Sequence, residues 1–384
     1  MNSLFSSDFL EDLYKWTDII LFFVYGSTVL YLFIFMLLSF KKKKTIYPPA
    51  KVKSKFAILY LLQHADEVII ENIKKSQEQN YPSDRYTFFA LANSLPSSFI
   101  SQLEALSVKV IITPSANTSF ELVRDWVAAY KFPKSDYEVV VLLDGNNYIE
   151  QNYLDSLNDA IYGGCYVIQT HRVPQRYTSN ISYLRTVSEE INNVIFRKGH
   201  SHVSLSSALN DSGIAIEMQA LLPCVKNNKL RLSLVKRFEK ILMERYYYVE
   251  YLDEVCTFTN DYNQNPPQKK QKYERKTYGF FSKLGHLVMA ILDSNMDYFN
   301  KMFQWLLPSR FILLFSILFW GVLVSYIESY MGYKWFGLFV VLFLSFAMAI
   351  PRHLVSKKLL GAIFLAPFEL LFRPFTHLFK RKKA

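Results

Sequence analysis

The sequence predicts an α/β domain on a mostly parallel sheet, tied to a membrane by helices at both ends. Three observations carry that prediction. Between Lys55 and His171, short runs of β-branched, aliphatic and aromatic residues alternate with helix-like segments, the spacing of a parallel sheet covered by helices on both faces. An uncharged apolar stretch, Ile19 to Phe40, precedes this region, and two more, Phe311 to Ile327 and Trp335 to Ile350, follow it. The formal net charge of +11 is concentrated beside those stretches, at Lys41 to Lys44, Lys357, Lys358 and the terminal Lys-Arg-Lys-Lys, as expected at the anionic inner face of a membrane.

The elements follow in order. Ile19 to Phe40, at about 1.5 Å per residue, is long enough to cross a hydrocarbon core of roughly 30 Å. It is too long for a secretory signal, and its basic cluster follows rather than precedes it. A retained span with its carboxyl end in the cytoplasm and the amino terminus outside is the expectation. Pro48 and Pro49 close a linker. Strands are then predicted over 56–62, 86–92, 108–112, 137–143 and 166–171, with helices over 66–79, 97–106, 119–130 and 151–162 between them.

Tyr137 to Asn147 reads YEVVVLLDGNN. Val139 to Asp144 has no polar alternation, so it predicts a strand buried on both faces, with Asp144 at its carboxyl end. Ligands of open α/β sheets sit just outside the carboxyl ends of the strands. An acid followed by Gly145, Asn146 and Asn147 is therefore placed to hold a metal-chelated phosphate; the same residues also suit a plain tight turn. His171 and Arg172, at another strand end, are placed to face a phosphate. His200 and His202, in a Gly- and Ser-containing loop, are read as surface residues rather than ligands.

Beyond Pro223 the pattern gives a helix over 232–246, a strand over 246–252 and a polar, Pro-containing loop over 261–275. Residues 279–307 carry apolar side chains at helical spacing and Trp305 near the end, the signature of amphipathic helices in the membrane interface. The two uncharged runs joined by Glu328 to Lys334 predict a helical hairpin that leaves and re-enters the cytoplasmic side. Leu359 to Phe379, interrupted by Pro367, Glu369, Arg373 and Pro374, reads as interfacial or re-entrant, with a fourth span as the alternative. The 51% apolar and 16% aromatic content fit such a chain. Cys165, Cys224 and Cys256 have no paired spacing, which argues against a zinc site or a disulfide framework and for a reducing compartment. No nucleic-acid motif accompanies the basic charge, which tracks the membrane edges.

Specific segments carry a resemblance to a known family. QEQNYPSDRYTFFAL (77–91), LLDGNN (142–147), YVIQTHRV (166–173), SLSSALNDSGIAI (204–216) and QWLLPSRFILL (304–314) are similar to successive elements of the membrane-bound family 2 glycosyltransferases. That group includes cellulose, hyaluronan and poly-N-acetylglucosamine synthases. The resemblance implies a GT-A-type, Rossmann-like domain over 55–275 on the cytoplasmic face of the plasma (inner) membrane. It also implies a nucleotide-sugar donor with Mg²⁺ or Mn²⁺, inversion at the anomeric carbon, and a glycan or lipid acceptor.

Carried onto this chain, the metal-binding Asp-x-Asp falls on Asp144 and Asn146. The nucleotide-side motif falls on Ala92 to Leu95, leaving Asn93 as its polar member, and the Asn-Glu after the first strand is replaced by Gln63 to Glu67. The general base should lie near Leu234 to Arg237, where no acid stands; Glu239 and Asp211 are the nearby acids, Glu239 alternatively being a solvated position on an amphipathic helix. The diphosphate-gripping Gln-x-x-Arg-Trp is answered by Gln271 and Arg275, without the tryptophan. With every motif altered, the alternative reading is a catalytically impaired scaffold or partner subunit of an active synthase.

Overall fold

The computed structural model describes residues 7–41, 47–130, 136–175, 179–226, 232–259 and 279–365, with side chains from residue 11 onward. Gln271, Arg275 and the basic tail lie outside the described residues, as does the segment 359–379 beyond residue 365.

The strands are β1 (Phe56–Leu61), β2 (Tyr86–Ala92), β3 (Lys109–Ile112), β4 (Val139–Asp144), β5 (Asn147–Ile149), β6 (Val167–Pro174), β7 (Ile214–Glu217) and β8 (Val249–Thr259). They form one sheet in the order β3-β2-β1-β4-β7-β6-β8-β5. β1 (FAILYL) and β4 up to Leu143 (VVVLL) carry no charged side chain because both of their faces are covered. One face packs Leu59, Val140, Leu142 and Trp126 against Phe238 and Leu242. The other packs Ile58, Tyr60, Val141 and Leu143 against Ile69 and Leu157.

The expectation of a mostly parallel sheet is corrected: the sheet is mixed. β7 runs against both β4 and β6, and β5 runs against β8, while β1 to β4 are mutually parallel. The repeat of strand and helix identifies parallel neighbours joined by crossovers. β7 is entered from a loop that already lies at the carboxyl ends of its neighbours, so it runs back. That reversal delivers Asn210 to Gly213 to the edge where Asp144 ends β4, while Ser206 and Ser207 lie beside Val249 at the start of β8.

The helices that flank the sheet are α2 (Glu67–Gln77), α3 (Ser97–Ala105), α4 (Ser119–Tyr130), α5 (Tyr153–Tyr162), α6 (Asn180–Asn192), α7 (Gly199–Ser201), α8 (Met218–Lys226) and α9 (Leu234–Glu244), after α1 (Ser7–Leu38). Asp66 caps α2, its carboxylate accepting the Val68 N–H at 3.0 Å. α6, α8, β5 and β7 were not foreseen, and β8 is longer than the predicted 246–252.

Residues 279–307 form two helices, α10 (Phe280–Leu292) and α11 (Met296–Leu306), broken where the Asn295 side chain accepts the Tyr298 N–H at 3.0 Å. α10 leaves Phe281, Val288 and Leu292 exposed, whereas α11 buries Tyr298, Lys301 and Met302. Two further helices follow, α12 (Arg310–Ile327) and α13 (Ser329–Ala349). Glu11–Leu38 of α1, α12 and α13 are each long and apolar enough to cross a membrane. Asp18 accepts the Trp335 Nε1–H at 2.8 Å and pairs with Lys334, which fixes the start of α1 beside the hairpin. At the opposite end Arg310 donates to the Ser188 carbonyl at 3.1 Å and the Tyr183 hydroxyl to the Leu354 carbonyl at 2.6 Å. The α/β domain thus sits on one end of the helical bundle, with Tyr183 and Ile195 packed among Val29, Met36 and Ile317.

Candidate functional site

The site forms where β1, β4 and β6 end. Asp144, the last residue of β4, is half-buried and aligned with Leu61 of β1. Its backbone N–H donates to Ser212 Oγ at 3.1 Å. Gly145 follows; a Cβ there would lie 3.0 Å from Leu62 Cδ2 and 3.1 Å from Ile69 Cδ1, so a side chain would be crowded under α2. Asn72 Nδ2 donates to the Gly145 carbonyl at 3.0 Å. Asn147 is fully buried, and its Nδ2 donates to Thr259 Oγ1 at 2.5 Å. Arg172 Nε donates to that same hydroxyl oxygen at 2.8 Å. Its two lone pairs join the acidic turn to a buried guanidinium.

The second wall is the loop before β7. Gly213 has φ +76°, and a Cβ would come within 2.5 Å of Thr170 Oγ1, so glycine is required on both counts. Gln169 braces the loop: its Nε2 donates to the Ser212 carbonyl at 3.0 Å and its Oε1 accepts the Asn210 N–H at 2.7 Å. Asn210 Nδ2 donates to Glu189 Oε1 at 2.8 Å, and Arg197 donates to the same oxygen at 3.1 Å. Asp211 projects from this braced loop and is exposed.

Burial raises the Asp144 carboxyl above its ordinary range, against the pull of the Arg172 guanidinium, the Gly145 N–H and His64 and with the push of Asp211. Arg172, Asp211 and His64 therefore each lie within electrostatic reach of Asp144. The residues fit a resident divalent ion poorly. The turn offers one carboxylate and the amide of Asn146, the Arg172 guanidinium adds positive charge within electrostatic reach of that carboxylate, and the other acid is solvent-exposed. Among the described residues, no group of three or more His, Cys, Asp or Glu is placed to hold a metal.

Of the residues singled out in the sequence, Asp144, Asn146 and Asp211 come together at this edge, and Asn93 lies half-buried just beyond the carboxyl end of β2. Glu239 does not join them. It is 5% exposed, so the reading of a solvated position is corrected. Its Oε1 accepts from Lys301 Nζ at 3.0 Å and the Leu209 N–H at 3.0 Å, and its Oε2 from Trp305 Nε1 at 3.2 Å. Helical periodicity identified the helix but not that α11 would pack on its charged face.

His200 is likewise buried, not at the surface. It stacks on Phe35 of α1 at 3.7 Å between centroids, and its Nδ1 donates to the Ile195 carbonyl at 2.8 Å. Burial drives this imidazole down to about 3, so it is neutral and its Nε2 accepts from Gln304 Nε2 at 3.0 Å. His171 faces away from Arg172 on β6, at the point where β8 bulges over Asp253 to Val255. Burial alone would lower it, but Glu190 Oε1 at 3.3 Å and Asp253 hold it above its ordinary range. Ser212 and Gln169 were missed as site residues; the segments around them were visible, but not the hydrogen bonds that need the folded loop.

No protein-family model matches the chain, and no curated protein sequence matches it. Solved structures similar to it include the mannosyltransferase PcManGT from Pyrobaculum calidifontis in complex with GDP-Man and Mn²⁺, at 11% identity and TM-score 0.49, covering 94% of this chain and 93% of that one. S. aureus TarS 1-349 in complex with UDP-GlcNAc is 11% identical with TM-score 0.42, covering 78% and 82% of the two chains. GalNAc-T7 with UDP, GalNAc and Mn²⁺ is 10% identical with TM-score 0.42, covering 64% and 50%.

Proposed function

We propose that the chain is a membrane-bound protein of the family 2 glycosyltransferase type, which binds a nucleoside-diphosphate sugar at the carboxyl ends of β1, β2, β4 and β6. Its α/β domain faces the cytoplasm, and the 204–213 loop is the side from which a glycan or lipid acceptor of a polysaccharide or glycolipid pathway approaches. The observation that carries this reading is the convergence of Asp144, Arg172 and His64 with the braced Asn210 to Gly213 loop at one sheet edge. In a transfer with inversion, the bond from the anomeric carbon to the phosphate oxygen breaks with its electrons on the diphosphate. The acceptor oxygen bonds to that carbon from the opposite face, and its proton passes to a carboxylate. Asp211, exposed on the loop, is the acid available for that proton.

A second reading, the catalytically impaired scaffold or partner subunit, is favoured by Glu239, whose carboxylate is committed to Lys301 and Trp305. Calorimetric titration of the detergent-purified full chain with uridine and guanosine diphosphates, with and without Mn²⁺, tests the donor site without knowledge of the acceptor. Binding in either condition is expected. No binding at millimolar nucleotide by folded protein overturns the glycosyltransferase reading. With binding established, release of nucleoside diphosphate from UDP- or GDP-sugars separates enzyme from scaffold.

A further inference from the structure

The donor set at Asp144 disagrees with the divalent ion that the family resemblance implies, and the disagreement has a direction. The second position of the motif is an amide, Asn146. Where a cation is needed to oppose a diphosphate, the fold has already put one. Arg172 is 8% exposed and anchored through Nε to Thr259 Oγ1 at 2.8 Å, an oxygen that also takes the Asn147 side chain at 2.5 Å. The guanidinium is therefore held against the Asp-Gly-Asn-Asn turn by hydrogen bonds through Thr259. His64 lies half-buried just past the end of β1, adjacent in the sheet to β4.

We propose that Arg172 supplies the charge that holds the diphosphate in this chain, so that nucleoside diphosphate binds without a divalent metal. A guanidinium is always charged, and its planar fork matches phosphate oxygens. A divalent ion at Asp144 would sit beside that fixed positive charge with a single carboxylate to hold it, and both circumstances weaken its binding. Asp144 has a different part in this arrangement: it partly neutralises Arg172 and thereby opposes the diphosphate.

This inference rests on the nucleotide-site reading above, and the test separates the two. The full chain in detergent is titrated with uridine and guanosine diphosphates in EDTA and in Mn²⁺, as wild type, Asp144→Asn and Arg172→Met. The expected result is binding in EDTA, with Mn²⁺ changing the affinity by less than about threefold, and a loss of about tenfold or more in Arg172→Met. Asp144→Asn should bind more tightly than wild type. Binding that requires Mn²⁺ and is lost in Asp144→Asn overturns the inference and leaves the nucleotide reading standing. Absence of binding in every condition overturns both. Should Arg172→Met fail to fold, the sign of the Asp144→Asn effect in Mn²⁺ decides, since an ion-holding carboxylate predicts weaker binding there and a charge-opposing one predicts tighter binding.

Discussion

Replacing Lys301 by methionine should be among the most damaging single changes outside the candidate site. The Lys301 side chain is 1% exposed and that of Glu239 6%, with Nζ and Oε1 3.0 Å apart. Methionine keeps most of the length but leaves Glu239 buried with, among the described residues, the Leu209 and Trp305 N–H groups as its remaining donors. Removing one partner of a buried ion pair costs about 3–5 kcal/mol, because the remaining charge stays desolvated. For a cooperative unit of roughly 200 residues that is about 6–20 °C in Tm. Glu239→Gln in the same background removes the orphaned charge and retains an oxygen for the Leu209 N–H, so the double variant should recover at least half of the loss. Thermal unfolding in detergent, read by tryptophan fluorescence across the four variants of the cycle, measures the coupling. A Lys301→Met shift below about 2 °C, or a double variant whose loss is the simple sum of the singles, would refute the ion-pair account.

Three other outcomes are expected. His171 is held above its ordinary pKa by Glu190 and Asp253 despite its burial, so its contribution to stability is fully present below the unfolded value of about 6.5 and is lost as pH rises through the higher folded value; Tm should fall across that window in wild type and more shallowly in His171→Gln. Gly213→Ala adds a Cβ 2.5 Å from Thr170 Oγ1 and 2.9 Å from Thr257 Oγ1 at φ +76°, and should cost about 2 kcal/mol or more and weaken nucleotide binding through the displaced Ser212; unchanged binding and Tm would contradict the bracing described for the loop. Tyr330, 84% exposed at the start of α13, should as Tyr330→Cys react with a membrane-impermeant maleimide on intact cells, whereas Ser98→Cys in α3 should react only after lysis; the reverse pattern would invert the proposed orientation.

Local pattern determined much of this protein. Continuous runs of aliphatic and aromatic residues made β1, β2 and β4 visible, because a strand buried on both faces excludes charged residues from its buried length. The three helices long and apolar enough to cross a membrane were visible for a similar reason, as uncharged stretches of spanning length. Asp144 was legible as a strand end, and the 204–216 segment as a neighbouring element through its resemblance. Three matters were decided only by tertiary packing. β7 runs antiparallel because its loop comes from the carboxyl edge, a fact of chain path that a short IAIE run does not encode. Glu239 became a buried partner of Lys301 because α11, 62 residues later in the chain, covers the charged face of α9. Arg172 came to the acidic turn through Thr259, 87 residues away, since β6 and β8 are neighbours in the sheet. Charge and hydrogen-bond partners act over a few ångströms in space, and the separation of these residues along the chain carries no trace of that proximity.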